Sequence, residues 1–155
     1  MDRRSNPCVN SGAELAALTS SYPLPRYATP GARLAFAAVA SDGSAAEAAE
    51  TRTEPPALAF GVGPDGSGVP FHFHNDGFSE VLHGAKHWLL YRHKPPRFRE
   101  NATSVSWMKH DYPQLRRRER PFECLIGPGD LLYFPKGWWH AIVNVGETVF
   151  MSVFL

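Results

Sequence analysis

Hydrophobic and polar positions along this chain follow two regimes that meet near Pro55-Pro56. Beyond that point short β-prone runs recur at intervals of about 8 to 12 residues, separated by Gly, Pro and Asp, which is the spacing of an all-β protein. The runs are Leu58 to Val62, Val69 to His74, Phe78 to His83, Lys86 to Tyr91, Phe122 to Ile126, Leu131 to Phe134, Trp139 to Asn144 and Thr148 to Phe154. One helix interrupts them. Thr103 or Ser104 can cap Val105 to His110, and the helix must stop before Tyr112-Pro113, because a residue preceding proline is driven out of helical conformation. Seven or eight short strands predict a sandwich or a closed barrel, since an open sheet of that size would leave unpaired edges.

The first 56 residues read differently. Residues 13 to 18 predict one short helix, stopped by the turn-rich Tyr22-Pro23-Leu24-Pro25. Residues 37 to 56 include Ser41 to Glu50, a low-complexity tract without Phe, Leu, Ile or Val, and so read as a mobile insertion. The expected organisation is an irregular, partly disordered segment over 1–56 and a barrel over 57–155.

Composition narrows the function classes. At 155 residues the chain has room for one domain. It is 43% hydrophobic and 20% charged, with a formal net charge of +1, so no long-range field recruits nucleic acid. No stretch has the ~18 to 20 apolar residues of a membrane span, and Met1 to Pro7 lacks the apolar run of a signal peptide. Cys8 and Cys124 are too few for a disulfide framework and stand at no metal-ligand spacing.

The chemistry lies in the histidines. Residues two apart on a strand share a face, so His72 and His74 project together while Phe71 and Phe73 face the other way. Gly129 to Asn144 matches the second cupin motif, G-x5-P-x-G-x2-H-x3-N, at Gly129, Pro135, Gly137, His140 and Asn144. The turn at Pro135 and Gly137 brings His140 into the barrel opposite the His72 strand, so a metal could be gripped from two strands at once. A single histidine in a β-protein is more often bonded to a carbonyl than to a metal. It is the joint pattern that singles out these three. His83, His87, His93 and His110 lack such framing and read as surface or packing residues.

Gly66 to His72, Gly84-Ala85-Lys86-His87-Trp88, Glu123-Cys124 and Gly129 to Asn144 together resemble the JmjC family of iron and 2-oxoglutarate oxygenases, over about residues 57 to 155. The resemblance implies a double-stranded β-helix, the cupin jelly-roll barrel, with one short helix inserted. It also implies a facial triad, His-x-Asp/Glu plus a distant His, that leaves three positions open on Fe(II) for 2-oxoglutarate and oxygen. Those positions fall on His72, residue 74 and His140. Residue 74 is His rather than a carboxylate, which removes a negative charge from the site.

Three arrangements answer that departure: a three-His centre of His72, His74 and His140; a slip by two residues to His74-x-Asp76; or a ligand from Glu80. Counting along the motif puts Ser79 at that last position and turns Glu80 to the opposite face. Lys86 matches the family lysine that pairs with the distal carboxylate of 2-oxoglutarate. Val69 stands where the family often has a Thr that helps hold it, a loss of about 1.5 to 3 kcal/mol.

The resulting expectation is a regulatory or interaction protein with at most non-standard metal binding, and the resemblance alone implies the endoplasmic reticulum lumen as its setting. Its partner is a protein, with no nucleic acid and no membrane span. The alternative is an Fe(II)/2-oxoglutarate-dependent protein hydroxylase using a three-His centre. Asn101-Ala102-Thr103 is an N-glycosylation sequon that gains meaning only in the secretory pathway. Arg116 to Arg120 reads as a solvated basic loop, and Trp88, Phe134, Trp138 and Trp139 read as barrel packing.

Overall fold

The computed structural model of the chain describes residues 57–154 together with Ala17. Six strands and one helix follow in order: β1 (Ala57–Gly63), β2 (Gly68–His72), β3 (Gly77–Tyr91), α1 (Ser104–His110), β4 (Phe122–Ile126), β5 (Leu131–Phe134) and β6 (Trp139–Phe154). All strand pairings are antiparallel. The mobile insertion expected over 37 to 56 lies outside the described residues. Of the helix expected over 13 to 18 only Ala17 is described, and it is helical.

Two of the expected breaks are bends rather than strand ends. The runs Phe78 to His83 and Lys86 to Tyr91 join in β3, and Trp139 to Asn144 joins Thr148 to Phe154 in β6. Gly84 and Gly146 sit at these junctions with φ of 74° and 73°. A glycine in that left-handed region lets a strand bulge and bend while its pairing resumes beyond, so the turn signal marks a fold in the sheet. The Val69 to His74 run is shorter than expected, because β2 ends at His72 after a register shift between Val69 and His72.

Bending turns β3 and β6 into two arms each, and the arms build two halves of a jelly roll. In one half β1 pairs with the second arm of β6, which pairs with the first arm of β3, which pairs with β5. In the other, β2 pairs with the first arm of β6, which pairs with the second arm of β3, which pairs with β4. Eight arms from six strands are the double-stranded β-helix expected from the sequence.

Between the halves lie Val81, Trp88, Leu90, Ile126, Leu132, Phe134 and Ile142. Trp88 stacks on Phe134 with centroids 5.7 Å apart, as barrel packing requires. A second cluster of Phe71, Leu89, Trp107, Leu115 and Ala141 joins α1 to the outer face of the sheet. The helix forms where expected: Thr103 is its N-cap and its Oγ1 accepts from the Ser106 amide at 3.1 Å. Ser104 Oγ donates to the Val69 carbonyl at 2.7 Å, which pins α1 to β2.

Candidate metal centre

The arm geometry dictates which side chains enter the barrel. His72 at the end of β2 stands directly across from His140 at the start of β6. His74 follows two residues later and is held by its own carbonyl, which accepts from the Gly137 amide at 2.9 Å in the Pro135 to Gly137 turn. The two motif segments therefore meet, and the ligand-capable nitrogens of His72, His74 and His140 all lie within 4.8 Å of one another. Asp76 and Glu80 are not in this group. Asp76 instead accepts from the Tyr133 hydroxyl at 3.2 Å, so the two-residue slip is not the arrangement adopted.

Backbone carbonyls fix the orientation of each ring. His72 Nδ1 lies 2.8 Å from the Pro70 oxygen, His74 Nδ1 2.6 Å from the Asn75 oxygen, and His140 Nδ1 3.0 Å from the Trp138 oxygen. A carbonyl can only accept, so each Nδ1 must carry the hydrogen and each neutral ring keeps its lone pair on Nε2. The Nε2 atoms of His74 and His140 face each other at 3.1 Å. Two ring nitrogens so placed can share a cation.

That spacing fits a metal. Two nitrogen ligands at ~2.0 to 2.1 Å in adjacent positions around one ion lie about 3 Å apart. Burial, reinforced by the neighbouring His72, pushes the His140 imidazole down to about 3. Burial also lowers His72. Both therefore stay neutral at physiological pH, the state a metal needs. The donor set fits a divalent first-row metal, and it supplies no negative charge.

The histidines line a cavity of about 390 Å³, whose wall includes Lys86, Trp88, Ile142, Asn144, Phe150 and Phe154. Lys86 is 2% exposed. Its ammonium rests on the Phe150 ring, 2.9 Å from the centroid, and meets no carboxylate among the described residues. Desolvation lowers it to about 7. A buried cation without a counter-charge is costly, and the cavity it lines is large enough for a small acid to supply one.

Sequence reasoning gave Asn144 a place in the motif and no role. It stands opposite Lys86 in the register, and its Nδ2 donates to Ser67 Oγ at 2.9 Å. Ser67 spends its one hydrogen on the Pro64 carbonyl at 2.6 Å, so the amide orientation is fixed and the loop before β2 is tied to β6. Phe150, the floor under Lys86, carried no signal in the sequence beyond membership of a strand. Val69 lines the cavity as expected. His83, His93 and His110 are exposed, and His87 bonds Glu123 at 3.1 Å.

Residues 49–155 match the family model of the JmjC domain. This chain belongs to the JmjC domain family. It is 50% identical over 101 residues to JmjC domain-containing protein 8 of Homo sapiens, a match covering 64% of this chain and 38% of that protein. It is 29% identical over 103 residues to 2-oxoglutarate and iron-dependent oxygenase JMJD4 of Mus musculus, covering 57% of this chain and 23% of that protein. The chain thus spans well under half the length of either relative. A cupin superfamily protein from Desulfitobacterium hafniense superposes with a TM-score of 0.46 at 14% identity, over 68% of this chain and 71% of that one. Among the described residues no helix is long and apolar enough to cross a membrane.

Proposed function

We propose that this JmjC barrel holds a divalent metal on His72, His74 and His140 and takes the dicarboxylate 2-oxoglutarate with its distal carboxylate at Lys86. The metal supplies an electrophilic centre for a bidentate oxygen ligand. The single observation that carries this reading is the meeting of His72, His74 and His140, each offering a ring nitrogen within 4.8 Å of the others while its Nδ1 is tethered to a backbone carbonyl. Charge supports the choice of ligand. Three neutral imidazoles leave the full dipositive charge on an ion, and Lys86 lines the same cavity, where a bound carboxylate would hold it protonated, so a dianion balances the cavity.

The loaded barrel acts as a regulatory or interaction protein rather than a turnover enzyme. The neutral donor at residue 74 favours this, because the usual carboxylate tunes the ion for oxygen activation and here it is missing. Its setting is the endoplasmic reticulum lumen, a reading supported by the family resemblance and by the exposed Asn101 of the Asn101-Ala102-Thr103 sequon. A second reading, a protein hydroxylase using the three-His centre, draws on Lys86 and the histidines sharing one cavity and on the oxygenase name of the mouse relative.

Calorimetric titration of 2-oxoglutarate into the Mn(II)-loaded chain tests the shared part. Binding that Lys86→Met weakens about tenfold or more supports it, and undiminished binding in that variant overturns it. Succinate release from the Fe(II)-loaded chain separates the two readings. Absence of succinate with ligand bound supports the regulatory one, whereas steady release establishes the hydroxylase.

A further inference from the structure

β4 is an edge strand. It pairs with β3 and with no other strand among the described residues, so one row of its backbone N–H and C=O groups faces outward. Such an edge is a template for another strand. Phe122 and Leu125 on it are 60% and 62% exposed, and its one charged residue, Glu123, is taken up by His87 and Tyr112.

A cleft of about 640 Å³ opens at the Phe122 end of this edge, and Arg92, Lys94, Arg118 and Arg120 line it. Among the described residues none of the four has a carboxylate partner. The ion pairs among the described residues are His87–Glu123 and Arg99–Asp111, and the nearby Glu119 carboxylate accepts from the Arg116 amide at 2.9 Å. Aromatic rings hold three of the cations in place: Arg92 lies 5.4 Å from the Trp138 centroid, Lys94 4.6 Å from that of Phe98 and Arg120 5.5 Å from that of Tyr112. The excess is local. Residues 92 to 120 contain nine Lys or Arg against three Asp or Glu, in a chain whose net charge is +1.

We propose that an extended acidic segment of a partner protein docks here, its main chain continuing the sheet along β4 and its Asp or Glu side chains entering the cleft. Charge complementarity sets the sign of the occupant. The strand edge sets its polymer type, because a peptide backbone can meet the outward N–H and C=O groups in register and a phosphodiester backbone cannot. Backbone pairing supplies affinity, and the unpaired arginines supply selection for acidic side chains. The proposal stands apart from the metal centre, whose cavity opens between the two halves and shares no residue with this cleft.

The test uses the full chain and a fluorescent peptide of alternating Val and Glu. Anisotropy should report saturable binding that weakens with salt and is lost when Gln replaces Glu. Alternate N-methylation of the peptide, which leaves its charge intact and blocks strand pairing, should weaken binding about tenfold or more. The double variant Arg118→Glu/Arg120→Glu should do the same while keeping the wild-type thermal midpoint. Equal binding of the N-methylated peptide, equal competition by an oligothymidylate of matched charge, or no binding of the acidic peptide at low salt would each overturn the proposal.

Discussion

Two regions that share β2, β3 and β6 solve the problem of buried polarity in opposite ways. On the outer face, under α1, most polar groups find partners within the chain, the Trp107 indole N–H excepted: Ser104 Oγ bonds the Val69 carbonyl, the Tyr91 hydroxyl donates to the Glu119 carbonyl at 2.7 Å, and Asp111 takes the Arg99 guanidinium at 2.6 Å. Inside the barrel, across the same strands, Lys86 has no anion beside it among the described residues and the Nε2 atoms of His74 and His140 face each other. Satisfied polarity fastens the fold. Unsatisfied polarity at a cavity wall costs stability and is retained where a ligand completes it.

The largest effect expected from this contrast is at the inner region. His140→Ala removes the nitrogen nearest His74 and should lower metal affinity by more than about a hundredfold. Undiminished metal uptake would show that the ligand set is wrong. The outer region should respond in the converse manner. Trp107 is 1% exposed and meets Phe71 edge-on at 4.8 Å, so Trp107→Ala should cost about 3 to 5 kcal/mol in a denaturant titration.

Lys86 sharpens the comparison further, because its cost and its use pull apart. Its folded value of about 7 lies below the unfolded 10.5, so between those pH values the unfolded chain binds a proton that the folded chain does not. Stability of the ligand-free barrel should therefore rise as pH climbs through that window, and below it the folded state bears the whole cost. Lys86→Met should stabilise the ligand-free chain at pH 7 by on the order of 3 kcal/mol and flatten the pH dependence, as thermal melts at pH 6, 7.5 and 9 would record. The smallest effect is expected at the helix cap. Thr103→Ala loses one bond to the Ser106 amide and should cost about 1 kcal/mol.

How much of this was legible in the sequence follows from how local each feature is. The strand runs, the Thr103 cap and the His72, His74 and His140 set depend on spacing, and spacing is written along the chain. The merging of runs into β3 and β6 was not legible, because Gly84 and Gly146 carry the same signal whether a strand ends or bends there. Nor were the Nδ1 tethers, which depend on carbonyl directions set by the turn geometry around Pro70, Asn75 and Trp138. In the sequence Arg116 to Arg120 reads as a solvated basic loop. Only the fold brings Arg92 and Lys94, from the end of β3, beside them.

The most direct measurement is an anaerobic titration of the chain with Fe(II) or Mn(II), followed by calorimetry and by the magnetic signature of the bound ion. The account predicts uptake of one equivalent with nitrogen ligation, abolished in the His140→Ala chain. No uptake at concentrations on the order of tens of micromolar, or uptake with an oxygen-only signature, would contradict it.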